Sequence, residues 1–160
     1  MTPETLTEIK PVAVMHSRTG SGIFFEEVSG DSKQIVLFTH LHEGMLLEDE
    51  LTGRRAPRPL THDLLCSIVQ GVDAQTPHLV ISDYQDGYFK ASITLRIYNE
   101  AVKKIIELDA RPSDVIIMSA KMNIPLFIRT SIWEELEDVS FALENIKSDS
   151  PDSQQPVYFK

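Results

Sequence analysis

The chain has 160 residues, with 15 Lys and Arg against 24 Asp and Glu, a net charge of −9 with histidine neutral. Its apolar fraction of 42% is that of an ordinary globular domain, and it excludes collagen-like, disulfide-rich and wholly disordered classes. A chain of this length buries about 70% of its unfolded surface, enough for one core, while the acidic balance opposes nucleic-acid binding unless positive charge is locally concentrated.

The N-terminal third reads as strands. Pro11–Met15, Ile23–Val28 and Gln34–Thr39 are rich in β-branched and aromatic residues, with turn material at Thr19–Gly22 and Ser29–Ser32 between them. A β-meander is expected. Leu41–Leu51 fits a short helix with a thin apolar stripe, interrupted by Gly44 and Glu48-Asp49-Glu50. The basic, proline-stiffened segment Gly53–Pro59 follows. Thr61 then stands as an N-cap before Leu64, Leu65, Ile68, Val69 and Val72 at helical spacing, and Gly71 reads as the stop. Cys66, the single cysteine, lies within this helix and reads as a packed thiol; no internal disulfide is possible.

Asp86-Gly87 precedes an alternating run, Phe89, Ala91, Ile93, Leu95 and Ile97. That is a strong hairpin signal, because a type I′ turn needs positive φ at both central residues. Leu79–Ile81 leads into the turn, and Lys103–Asp109 supplies a further strand. Pro112 suits a first helical position, Asp114 complements the helix dipole, and Asn123 reads as the C-cap of a helix running to Met122. Leu126–Ile128 reads as a strand and Ser131–Leu136 as a helical turn. Trp133 reads as an anchor. The expected fold is α+β: one domain over residues 1–146, a mixed sheet of meander plus hairpin, and two or three helices. Residues 147–160, poor in apolar side chains, read as a disordered tail. The acidic start lacks a secretory pattern, and no apolar run reaches the roughly 20 residues of a membrane span, so a cytoplasmic protein without membrane contact is expected.

Three constellations carry possible chemistry. Arg58-Pro59-Leu60-Thr61-His62-Asp63 and Arg111-Pro112-Ser113-Asp114 each place Arg and Pro before a helix with a hydroxyl and a carboxylate in its first turn. Free N–H groups and an adjacent guanidinium make such a start a phosphate site, and two of them facing each other would form a clamp. The same pattern equally fits ordinary caps and ion pairs. His62, Asp63, Asp109 and Asp114 could supply proton transfer, or carboxylates for Mg²⁺ or Mn²⁺. His40 and His42 would share one face if they lay in a strand, a geometry able to grip a metal.

Arg58–Leu65, Asp86–Ala91 and Leu108–Ile116, followed by Asn123–Ile128, come in an order that resembles the bifunctional nuclease domain family. The resemblance runs from about Val12 to Trp133 and departs from the family pattern at Phe38–Met45. It implies a compact α+β domain that self-associates, with a dimer favoured, and cleavage of DNA or RNA phosphodiesters. Matching motif positions are Arg58, Thr61, His62, Asp63, Asp109, Arg111, Ser113 and Asp114. On this reading His62, Asp63, Asp109 and Asp114 are catalytic, and Arg58, Thr61, Arg111 and Ser113 bind phosphate. A divalent ion, Mg²⁺ or Mn²⁺, is the expected cofactor, and DNA or RNA a weakly held partner. The alternative is a non-catalytic binding or regulatory module of the same fold.

Overall fold

The computed structural model describes residues 5–30, 32–149 and 155–159. Its meander consists of β1 (Leu6–His16), β2 (Ser21–Glu27) and β3 (Gln34–Thr39), each antiparallel to the next. Strand alternation assigns the faces. Ile23 and Phe25 turn into the main core with Ile35 and Leu37, whereas Phe24 and Val36 turn to a smaller cluster on the other face. α1 (Leu41–Thr52) follows, closed by Gly53 at φ 78°, a left-handed position that glycine adopts without strain. α2 spans Thr61–Gly71.

β4 (His78–Gln85) and β5 (Tyr88–Tyr98) form the expected hairpin. Asp86 and Gly87 have φ of 54° and 83°, the positive pair that a type I′ turn demands. β6 (Lys103–Ala110) pairs with β5 and leads into α3 (Pro112–Met122), which opens on its proline and closes at Asn123 with φ 52°. β7 (Leu126–Arg129) and α4 (Thr130–Glu135) come next, and Trp133 is buried in the core. α5 (Ser140–Asp149) and β8 (Val157–Tyr158) complete the described elements.

The sheet order is β3-β2-β1-β7-β4-β5-β6, with β8 on β1. Four-residue β7 is the seam. It runs antiparallel to Leu6–Ile9 of β1 and parallel to Leu79–Ile81 of β4, which makes the sheet mixed. Because β7 is short, the edge of β1 at Ala13 and Val14 stays open, and β8 pairs there. Of the expected tail, residues 150–154 and 160 lie outside the described residues, α5 reaches Asp149, and Val157–Tyr158 is this added strand. α1 lies on β1 and β2, α3 lies on β4, β5 and β7, and α2 packs on α3. α5 covers the opposite face through Leu143, against Ala13 and Phe24. Asp138 accepts the N–H groups of Gln34 (3.1 Å) and Ser140 (2.9 Å), and so ties the start of α5 to β3. Among the described residues no helix is long and apolar enough to cross a membrane.

Candidate functional site

The α3 start is a closed electrostatic frame. Arg111 is the N-cap and Asp114 lies in the first turn. Asp114 Oδ2 accepts the Arg111 backbone N–H (3.2 Å) and its Nε–H (3.0 Å). Oδ1 accepts from Arg111 Nη2 (2.8 Å) and from His62 Nε2 (3.1 Å). Arg111 Nη1 donates to Glu43 Oε1 of α1 at 3.1 Å. Burial works to raise the Asp114 pKa, but the hydrogen bonds from Arg111 and His62 outweigh it and hold the carboxyl below its ordinary range. The hydrogen bonds to Asp114 push Arg111 up, against a smaller opposing effect of burial. His62 is buried, whereas the Arg111 side chain keeps 59% of its surface exposed.

The α2 start follows the same plan with a different cation. Asp63 Oδ2 accepts the Leu60 N–H at 2.7 Å, and Oδ1 accepts from Lys121 Nζ of α3 at 2.6 Å. Lys121 also donates to Glu50 (3.0 Å), and Arg55 Nη1 meets both oxygens of Glu50 at 2.8 Å. The Lys121 hydrogen bond, then that from Leu60, holds Asp63 low. Burial would lower Lys121, but Asp63 and Glu50 reverse the sign and raise it. Beside this network lies a cavity of about 600 Å³ bordered by Arg54, Arg55, Arg58, Leu60, Met45 and Lys121. Arg58 has no ion-pair partner among the described residues.

The predicted residues therefore separate into groups. His62, Arg111 and Asp114 come together, and Ser113 is buried beside them in the first turn of α3. Asp63 joins Lys121 and Glu50 instead. Thr61, expected as a cap, is exposed in the first turn; Leu60 is the cap residue, and the Asp63 carboxylate serves its N–H. Asp109 is not brought to this group. Ile106 and Ala110 of β6 pack into the core, so Asp109 faces the other side of the sheet, near Asp83, Lys90 and Arg129. His40 and His42 do not share a strand face, because β3 ends at Thr39, His40 caps α1 and His42 lies within it. Residues two apart on a helix diverge.

Among the described residues no three His, Cys, Asp or Glu side chains converge on a metal position. Both oxygens of Asp114 and of Asp63 are engaged by N–H donors.

Sequence reasoning missed Glu43 and Lys121, whose roles depend on α1 and α3 lying side by side. It also missed a chain from β1 to α1. His16 Nδ1 lies 2.7 Å from Ser21 Oγ, and its Nε2 donates to Glu48 Oε2 at 2.7 Å; Glu48 in turn pairs with Arg54. Ser21 is buried against Gly44, where a Cβ would stand 2.2 Å from its Oγ. That contact leaves no room for a substrate at Ser21, so the chain anchors Arg54. A further cavity of about 390 Å³ opens at the α3 start, bordered by Phe38, His40, Tyr88, Arg111, Pro112 and Ser113.

A family model described as "Bifunctional nuclease domain" matches residues 23–140. The chain belongs to this bifunctional nuclease domain family. The match takes in β2 through α4, including both helix starts and the cavity at Arg111. Two relatives, both uncharacterized proteins of Mycobacterium tuberculosis, Rv1829 of strain ATCC 25618 / H37Rv and MT1877 of strain CDC 1551 / Oshkosh, are each 26% identical over 110 residues. The aligned part covers 69% of this chain and 62% of each relative, so the chain spans about three fifths of the length of the curated relatives it matches.

Proposed function

We propose that this domain binds nucleic-acid phosphodiesters at the α3 start and hydrolyses them there. One observation carries the reading: Arg111 is fixed by Asp114 and Glu43 while its side chain stays largely exposed at a cavity. Three of its N–H groups are committed, which leaves an outer N–H on each of Nη1 and Nη2 for a phosphate oxygen. Fixed donors at a developing negative charge cost no reorganisation during the reaction.

In this scheme Arg111 holds the non-bridging oxygens. Asp114, ionised at neutral pH, orients Arg111. His62 positions Asp114 from behind. A water oxygen bonds to phosphorus and gives its proton to solvent at the open cavity, while the P–O bond to the leaving ester oxygen breaks and solvent there protonates that oxygen. Arg58, Arg54 and Arg55 would meet a neighbouring phosphate along the strand. Asp109 has no part in the scheme, and no step passes through a metal.

Highly purified protein should cleave single- or double-stranded DNA or RNA with and without EDTA. Folded Arg111→Ala should lose about a hundredfold in rate, the usual effect of removing one preorganised charge-stabilising donor. Cleavage by Arg111→Ala at the wild-type rate overturns the proposal. Loss of cleavage in EDTA would bring the metal expected from the sequence back into the mechanism. The engagement of every oxygen of Asp63 and Asp114 favours a second reading, a module that binds nucleic acid without cutting it. Binding without cleavage by any preparation would select that one.

A cytoplasmic setting and self-association belong to the same proposal. Leu64, Leu65, Ile68 and Val72 leave an apolar row exposed on α2, which supports association of copies. Sedimentation of the full chain as a single 18.1 kDa species would overturn it.

A further inference from the structure

Phe38 and Tyr88 are 82% and 75% exposed. Neither serves the core. Phe38 alternates with buried Leu37 on β3, and Tyr88 precedes Phe89, which packs against the core from β5. Their strands lie far apart in the sheet order, β3 at one edge and β5 beside the other. The sheet curls enough that both aromatics border the same 390 Å³ cavity as Arg111.

The backbone sets where each side chain emerges. Phe38 faces Gly22 across the β2–β3 ladder, where a Cβ would come 3.5 Å from its ring. Tyr88 directly follows the Asp86-Gly87 turn and pairs with Gln85. Two exposed aromatic side chains beside a guanidinium with unspent donors match the chemistry of an unstacked nucleotide. A base stacks on an aromatic ring, and the adjoining phosphate takes the guanidinium. A duplex offers no free base face, and its long phosphate track is opposed by the net charge of −9.

We propose that Phe38 and Tyr88 are base-stacking residues, and that the substrate at the Arg111 site is single-stranded or locally unpaired nucleic acid. This rests on the phosphodiester reading of Arg111 and specifies the strand form that the site takes.

The test is fluorescence anisotropy at low and moderate salt with labelled oligo-dT, oligo-U and a blunt DNA duplex. The proteins are wild type, Phe38→Ala, Tyr88→Ala, the double variant, the aromatic-retaining pair Phe38→Tyr and Tyr88→Phe, and Arg111→Ala. Wild type should prefer the single strands. Each alanine should weaken that binding about tenfold, and both together about a hundredfold, within the range measured for base stacking. The aromatic-retaining variants should bind within about twofold of wild type, and duplex binding should not respond to any aromatic change. If Arg111→Ala abolishes binding while the double alanine variant binds as wild type, stacking is wrong and the phosphodiester reading stands. If wild type binds none of the probes, the phosphodiester reading itself fails. If the double alanine variant changes only the sedimentation coefficient, the rings belong to a contact between copies, and the proposal is overturned.

Discussion

The starts of α2 and α3 share residues and a capping plan, yet they differ in which cation serves the carboxylate. In α3 the arginine is the cap residue itself, three positions before Asp114, and it folds back onto that carboxylate. In α2 the arginine lies two residues before the cap Leu60, so Asp63 takes Lys121 from α3, and Arg58 has no ion-pair partner among the described residues. A two-residue offset turns the same motif into a fixed guanidinium at one helix and an unpaired one at the other. A shared motif therefore fixes the cap but not the electrostatic role of its arginine.

The comparison is broken most strongly at Asp114. Asp114→Ala removes the acceptor for Arg111, His62 and the cap N–H together, and should cost about 3 kcal/mol of stability, read as a urea midpoint shift. Asp63→Ala, at a more exposed start, should cost about 1–2 kcal/mol. Equal losses at the two positions would remove the distinction drawn here. Lys121→Met strips the half-exposed Asp63 and the buried Glu50 of their shared cation, and should cost about 2 kcal/mol while Arg55 retains Glu50. Chemical denaturation of that variant checks whether α2 depends on α3 for its charge balance.

Acid should separate the two starts next. Asp114 and Asp63 are both held below their ordinary range. Their folded-state pKa values are depressed, so their contribution is present above the unfolded value and is lost as pH falls below about 4. Urea midpoints recorded between pH 3 and pH 6 should fall on the acid side in wild type and less steeply in Asp114→Asn. A wild-type midpoint that rises on acidification would contradict the assigned sign.

The smallest effects are those of the exposed arginines on stability, within about 0.5 kcal/mol for Arg58→Ala by thermal denaturation. On single-stranded nucleic acid the order reverses. Arg111→Ala should weaken binding more than Arg58→Ala, and each should reduce the salt slope by about one. Matching slopes for Arg58→Ala and wild type would remove Arg58 from the strand path.

Local chemistry made much of the fold legible. Asp86-Gly87 dictates a turn wherever it stands, and Pro112 and Asn123 bound α3 through backbone rules that need no neighbours. Leu41–Leu51 was a thin signal because the helix is settled by packing on β1, β2 and α3, where Leu47 is buried. β8 carried no readable pattern, since two residues form a strand only because β7 stops short of Ala13.

The candidate site divides in the same way. Arg111 and Asp114 could be paired from one sequence, because arginine, carboxylate and helix start imply each other locally, whereas His62 meets Asp114 only because α2 packs on α3. Asp109 was expected with them as a carboxylate in a matching motif, but strand alternation sends its side chain to the other face.

By itself, the sequence determined the order of strands and helices from β1 to α4 and the turn at Asp86-Gly87, which follow from interactions within a few residues. It also carried the resemblance to a nuclease family in its motifs. Only the tertiary structure decided that His62 links the α2 start to Asp114, and that Glu43 and Lys121 serve Arg111 and Asp63. It also decided that Arg58 has no ion-pair partner among the described residues, and that Phe38 and Tyr88 border the same cavity as Arg111. Those choices depend on which helices and strand ends come within the few ångströms over which hydrogen bonds and ring contacts act.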